Sequence, residues 1–101
     1  MATYVILSEI SPEALRHPSE VRQLAEVVSQ KIKAECPKVR WQASYALMGR
    51  FDVVDVVEAD TPAEVGKAAM IIWCYGRATT ESMHATPWKE FLASLQPSPA
   101  S

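Results

Sequence analysis

Arg50 and Asp52 are the first two residues in the chain whose types and spacing could do chemistry. They are two positions apart, so on a β-strand they would project from one face. There a guanidinium and a carboxylate can pair or bind a polar substrate group together, and the carboxylate can also transfer a proton. The common turn chemistry of Asp beside a glycine favours a structural alternative, in which Asp52 accepts hydrogen bonds from turn amides after Gly49.

His84 is the second candidate for proton transfer. It falls late in a segment with strand-like alternation, near Glu81 in sequence but on the opposite face of a regular strand. An imidazole can act as a general base near neutral pH or ligate a metal or haem iron. A surface or interface histidine at a strand end is the more common case. The candidate catalytic residues are therefore His84, Asp52 and Arg50.

Aromatic side chains with polar tips form a third group of candidates. Tyr4 falls in the first predicted strand, and Trp41 and Tyr45 would share one face of another strand. Such side chains can line a pocket for a planar ligand, although a place in the core or in a subunit interface is more common. The candidate ligand-binding residues are Tyr4, Trp41, Tyr45 and Glu81.

The sequence contains no strong metal, nucleotide or acyl-transfer motif. Cys36 and Cys74 have neither CxxC spacing nor a nearby HxxxH pair, so we expect no dedicated metal site. A P-loop, a GxGxxG run and an ordered Ser-His-Asp set are also missing, which leaves any cofactor unknown. Two cysteines can form one bridge at most, and the N-terminus lacks the features of a signal peptide. We therefore expect reduced thiols and a cytoplasmic location.

Composition narrows the class of protein further. The 101 residues predict one domain, and 49% hydrophobic with 22% charged residues is ordinary for a folded protein. A net charge of −2 without a basic run argues against a nucleic-acid partner. The apolar runs are too short to cross a membrane.

The elements that must position these candidates follow the order β-α-β-β-α-β. Apolar residues recur at helical spacing after Ser19, a plausible N-cap, and again after Thr61 or Asp60. Alternating segments on both sides of Gly49 predict a hairpin. The predicted strands cover 4–7, 39–48, 51–59 and 77–85, and the predicted helices cover 21–32, 62–76 and, after Thr86 as N-cap, 87–95.

This order is the ferredoxin-like α+β pattern, in which two helices cover one face of a four-stranded antiparallel sheet. The other face lacks cover within the chain. Because Val53 and Val57 alternate with Val54 and Val56, both faces of that strand are apolar. An open apolar face predicts a homodimer that packs sheet against sheet, or a higher oligomer.

Several segments, taken in order, resemble the GYD domain family. The Gly49-Arg50-Phe51-Asp52 run matches its Gly-Arg-Tyr-Asp motif, with Phe51 in place of the tyrosine. That replacement removes a hydroxyl on which a mechanism could depend. The resemblance covers nearly the whole chain and also includes the segments 2–7, 56–59, 77–81 and 88–91.

The resemblance implies a ferredoxin-like domain of the dimeric α+β barrel group, spanning residues 1–96 with a flexible tail at 97–101. It implies no activity, because the family has no common reaction. We expect a small apolar or aromatic molecule to bind in a cleft between sheet and helices or between subunits. Two alternatives stay open: an enzyme of isomerase or cofactor-poor monooxygenase type that uses His84 or Asp52, and a structural subunit of a larger assembly.

Overall fold

The computed structural model describes residues 1–14 and 17–97, so the predicted tail lies outside the described residues from position 98 onward. One short 3₁₀ turn, Pro12–Ala14, follows the first strand. The strands are β1 (Ala2–Ile10), β2 (Arg40–Ala46), β3 (Val53–Ala59) and β4 (Ala78–Ala85), and the helices are α1 (Pro18–Glu35), α2 (Pro62–Gly76) and α3 (Trp88–Ser94).

The four strands form one antiparallel sheet in the order β2-β3-β1-β4. Residues buried in β1 alternate with residues that are only half-buried, which shows that one face is covered and the other is open. The covered face carries Tyr4, Ile6 and Ser8, and α1 and α2 lie on this side. The predicted ferredoxin-like α+β fold is confirmed.

The core lies mainly between α2 and the two central strands. Ile6, Val57 and Val65 are its largest fully buried side chains. In contrast, α1 makes its main contacts with α2 rather than with the sheet. Gly76 allows this approach, because a Cβ there would lie 3.1 Å from Cγ2 of Val28 on α1. Since α1 packs sideways on α2, its sheet-facing side does not close onto β2 and β3.

Helix boundaries agree with the sequence at α2 and differ at α1 and α3. The Thr61 side chain caps α2 by accepting a hydrogen bond from the Glu64 backbone N–H, as predicted. The predicted caps Ser19 and Thr86 are wrong: α1 begins at Pro18 after His17, and Pro87 precedes α3. Proline at the first helical position needs no hydrogen-bond partner for its nitrogen, so α1 includes it.

The hairpin of β2 and β3 differs from the predicted regular alternation. A β-bulge lies between Trp41, which pairs with Val57, and Ala43, which pairs with Val56. Because the bulge adds one residue, Trp41 faces the helices while Tyr45 faces the open side. The prediction that these two aromatics share a face is therefore wrong. Arg50 and Asp52 are not on a strand either, since residues 47–52 connect β2 to β3.

Candidate functional site

A cavity of about 720 Å³ lies between α1 and the covered face of the sheet. It forms where α1 leans on α2 and stands away from β2 and β3. Its walls are apolar and come from the helices, the sheet and the turn after α1. They include Ile10, Leu24, Val28, Ile32, Val39 and Ile72.

Asp55 supplies a carboxylate at the floor of this cavity. It projects from the covered face of β3 and is only 7% exposed. Its Oδ1 accepts hydrogen bonds from Nε1 of Trp41 at 3.1 Å and from Oγ of Ser44 at 2.5 Å. The bulge in β2 places the Trp41 indole on this side. The floor is thus a network of three side chains, with Oδ1 as its shared acceptor.

Two oxygens of the floor lack a hydrogen-bond partner in the described part of the chain. Ser8 is 3% exposed, and its Oγ has no hydrogen-bond partner among residues 1–14 and 17–97. In the same part of the chain, the hydrogen bonds to Asp55 all reach Oδ1 rather than Oδ2. Buried polar groups are nearly always hydrogen-bonded in folded proteins. Ser8 and Asp55 line the same cavity, so these two oxygens favour a donor that is supplied from outside the chain.

Among the described residues, Asp55 forms no ion pair. The ion pairs within these ranges are Arg22 with Glu26, and Arg50 with Glu81. A buried carboxylate without a paired cation is costly unless hydrogen bonds or a bound cation compensate it. Trp41 and Ser44 supply neutral donors to Oδ1 and none to Oδ2.

Cys36 lines the wall of the cavity as a neutral thiol. Burial raises the pKa of Cys36, and the nearby Lys67 ammonium only partly opposes this shift. The thiolate is the nucleophilic form, so a raised pKa makes Cys36 a poor nucleophile. It contributes to the apolar lining rather than to covalent chemistry.

Asp52, a candidate for proton transfer, lies outside the cavity and forms part of the connection between β2 and β3. Its Oδ2 accepts a hydrogen bond from the Ile10 backbone N–H at 2.7 Å. Its own backbone N–H donates to the Ser8 carbonyl, and its carbonyl accepts from Leu47 N–H, both at 2.8 Å. Asp52 thus fastens the connection to the end of β1.

Arg50 lies 4.0 Å from Glu81, and both side chains are exposed. Pairs of this kind contribute little to stability. The Arg50 guanidinium also lies 5.0 Å from the ring centre of Phe51. Glu81 pairs with Leu7 in the sheet and so belongs to the open face.

His84 is on the covered side, at the opposite end of β1 from Asp52. It pairs with Tyr4, and the two rings meet edge to face at 5.4 Å between centroids. Tyr4 itself is buried in the core. His84 therefore lies apart from Arg50 and Asp52, which share the connection between β2 and β3 but make different contacts. Of the four candidate ligand-binding residues, Trp41 is the one that lines the cavity.

Sequence reasoning did not single out the polar residues of the floor: Ser8, Ser44 and Asp55. A signal for Asp55 was present, because it shares one face of the predicted strand with Val53 and Val57. A carboxylate at a core-facing strand position needs a partner, which makes it a site candidate.

Residues 1–14 and 17–97 bring together no cluster of three or more His, Cys, Asp or Glu that could hold a metal ion. Within the same residues, no helix has both the length and the apolar character needed to cross a membrane.

A sequence profile of the GYD domain family matches residues 4–95. The chain belongs to the GYD domain family. Over 100 residues, this GYD domain is 28% identical to a Thermus thermophilus protein described as a glutamine synthetase and cystathionine beta-lyase binding protein. The match covers 95% of this chain and 100% of the relative.

Two solved structures show the same fold at low sequence identity. TTHA0845 from Thermus thermophilus is 23% identical, with a TM-score of 0.55 over 86% of this chain and 95% of its own. The leucine response regulatory protein LrpA of Mycobacterium tuberculosis is 11% identical, with a TM-score of 0.58 over 85% of this chain. The GYD domain spans about half of LrpA, 51% of its chain.

Proposed function

We propose that this GYD domain binds a small, largely apolar molecule in the cavity between α1 and the sheet. The observation that carries the proposal is the polar floor of Asp55 and Ser8 beneath apolar walls. Small-molecule sites commonly combine apolar walls with a few placed polar groups, in a volume of about 300–1,000 Å³. Because His84 lies at the opposite end of β1 from Asp52 and Arg50, and none of the three lines the cavity, the proposal gives them no shared catalytic role.

Filling the cavity with a larger side chain is expected to abolish binding. Ala25 lines the cavity from α1 and is exposed to solvent, so Ala25→Trp places an indole in the cavity without disturbing the core. The probe is N-phenyl-1-naphthylamine, a neutral dye whose fluorescence rises in apolar surroundings. We expect the variant to bind the dye at least about tenfold more weakly than the parent chain.

Ala34→Trp is the matched control, because Ala34 is exposed on the same helix and does not line the cavity. It is expected to bind the dye like the parent chain. Absence of dye binding by the parent chain, or equal binding by both variants, would contradict the cavity as a ligand site.

We also propose that two copies of the chain pair through the open face of the sheet. Tyr45 and Met83 lie exposed on that face, beside half-buried Val54 and Val56. Strands of this length make a face of about 25 by 19 Å, so two such faces bury about 950 Å², close to the area of about 1,000 Å² that a specific interface requires.

Cys36 and Cys74 are both free, which fits the reducing cytoplasm that we propose as the location.

A second proposed function is docking on a metabolic enzyme through α3. The relative from Thermus thermophilus is described as a binding protein of glutamine synthetase and cystathionine beta-lyase. The extensive packing contacts of the described chain do not include α3, and Trp88 is 69% exposed. The exposed apolar residues of α3 and of its C-cap have the spacing of a helix that binds in a groove: Trp88, Phe91, Leu92 and Leu95.

Titration with purified glutamine synthetase and cystathionine beta-lyase tests this docking. We expect calorimetry to detect binding to at least one enzyme, and Phe91→Ala to weaken it by about tenfold or more, since buried aromatics dominate such interfaces. Glu90→Ala, on the opposite side of α3, should leave the affinity unchanged. Failure to bind either enzyme, or equal binding by Phe91→Ala, would exclude docking through α3.

A further inference from the structure

We infer that the ligand of the cavity is an apolar amine whose ammonium group binds at Asp55 and Ser8. This inference rests on the proposed function and adds the chemical class of the ligand. An ammonium has three N–H donors and no acceptor. The floor of the cavity offers the complementary set, namely Oδ2 of Asp55 and Oγ of Ser8.

The charge of Asp55 distinguishes an amine from other apolar ligands. The carboxylate is 7% exposed and has no cationic partner among the ion pairs of the described chain. A bound ammonium would place a positive charge beside it in surroundings where water screens little. A neutral alcohol could donate to Oδ2 as well, but it carries no net charge and so lacks the Coulomb attraction that an ammonium adds to the hydrogen bond.

The arrangement of donors on the floor disfavours a ligand carboxylate. The Trp41 indole N–H and the Ser44 hydroxyl are already directed at Oδ1 of Asp55. An anion placed there would face Asp55 with only the Ser8 hydroxyl to donate to it. Lys33 is the cation that lines the cavity, and it belongs to the exposed side of α1 rather than to the floor.

The size of the cavity and the apolar character of its walls determine which apolar body can carry the ammonium group. About 720 Å³ accommodates an aromatic ring or a branched aliphatic chain together with the ammonium. The wall residues Leu24, Val28 and Ile72 offer dispersion contacts and no hydrogen bonds from their side chains. A primary amine on a compact apolar body therefore matches both ends of the site.

Competition against the neutral dye tests the inference with three probes of similar size. These are 2-phenylethylamine, which is a cation at pH 7, 2-phenylethanol, which is neutral, and phenylacetate, which is an anion. We expect the amine to displace N-phenyl-1-naphthylamine at about tenfold lower concentration than the alcohol, and phenylacetate to be weakest.

Asp55→Asn should remove the preference for the amine, because the variant keeps an acceptor oxygen for Trp41 and Ser44 but loses the charge. The alcohol should retain its affinity within about twofold. Glu58→Gln is the control, since Glu58 belongs to the same strand and to its open face. It loses the same charge and should leave the preference intact. An unchanged melting temperature shows that each variant is folded.

The outcomes separate the inference from the proposed function. If the dye binds and the alcohol or phenylacetate competes as well as the amine, the inference is wrong and the apolar cavity remains. If the preference for the amine persists in Asp55→Asn, its source is not this carboxylate and the inference is again wrong. If the dye does not bind the parent chain, both are wrong.

Discussion

Replacing Val56 with lysine is expected to convert the proposed dimer into a monomer. Val56 lies near the middle of the open face and pairs with Val5 on one side and Ala43 on the other. A lysine there would have to bury its ammonium in the sheet-to-sheet interface of both copies, and removing the charge from water is costly even with Glu58 on the same face. Size-exclusion chromatography with light scattering should give the monomer mass of 11.2 kDa rather than twice that value.

Val27→Lys is the matched control for this change. Val27 is an exposed valine of α1, outside both the open face and the cavity. The control should remain a dimer, which would show that an added positive charge alone does not dissociate the pair. A parent chain that is monomeric at all concentrations, or a Val56→Lys variant that still has the dimer mass, would contradict the proposed interface.

Pairing of two copies through the open face and ligand binding on the covered face should be independent of each other. The cavity lies between the covered face and α1, whereas Val56 projects from the open face. Loss of the dimer should therefore leave the dye affinity of a Val56→Lys monomer unchanged. A ligand site between subunits is the other location that the sequence allows for the cleft, and such a site would disappear with the dimer. The same variant thus tells the two locations of the cleft apart.

The fold could be predicted from the periodicity of the sequence, because an element that is buried on one side repeats its apolar residues at the spacing of a helix or a strand. The helix after Thr61 shows this, since its N-cap, its proline in the first turn and its end at Gly76 agree with the structure. The apolar runs at 4–7 and 53–57 likewise predict the strands β1 and β3, although the apolar residues on both faces of β3 do not show which face is covered. These features depend on local preferences and on which face meets the core.

The bulge beside Trp41 could not be predicted in the same way. A bulge inserts one residue without requiring a glycine or any other marker, and the segment around Trp41 alternates well without it. One added residue moves the indole from the open face to the cavity. The hydrogen bond from Trp41 to Asp55 therefore depends on the register between β2 and β3, which the periodicity of a single strand does not show.

The cavity itself depends on tertiary packing. The apolar face of α1 predicts burial against the sheet, but the helix makes its main contacts with α2, where Gly76 leaves room for Val28. Asp55 and Ser8 line the space that is left between α1 and the sheet. A sequence shows which side chains face inward, but not how far a helix stands from the sheet.

Asp52→Ala is expected to lower the free energy of unfolding by about 2–3 kcal/mol, because it removes a charged carboxylate that accepts a hydrogen bond from the backbone. The Asp52 carboxylate holds the Ile10 N–H at 2.7 Å, in a part-buried position at the end of β1. Asp52→Asn keeps an acceptor oxygen and should cost about 1 kcal/mol. Urea unfolding at one fixed protein concentration measures both, since the stability of a dimer changes with concentration.

Asp60→Ala provides the control, because Asp60 is exposed and the cap of α2 is the neighbouring Thr61. Its free energy of unfolding should change by less than about 0.5 kcal/mol, as is usual for exposed positions. A large effect of Asp52→Ala beside a small effect of Asp60→Ala would show that the aspartate of the Gly-Arg-Phe-Asp run stabilises the fold. Its carboxylate fastens the connection between β2 and β3 to β1. An Asp52→Ala chain that unfolds at the parent midpoint would show that the hydrogen bond contributes nothing, and would leave this carboxylate free for proton transfer.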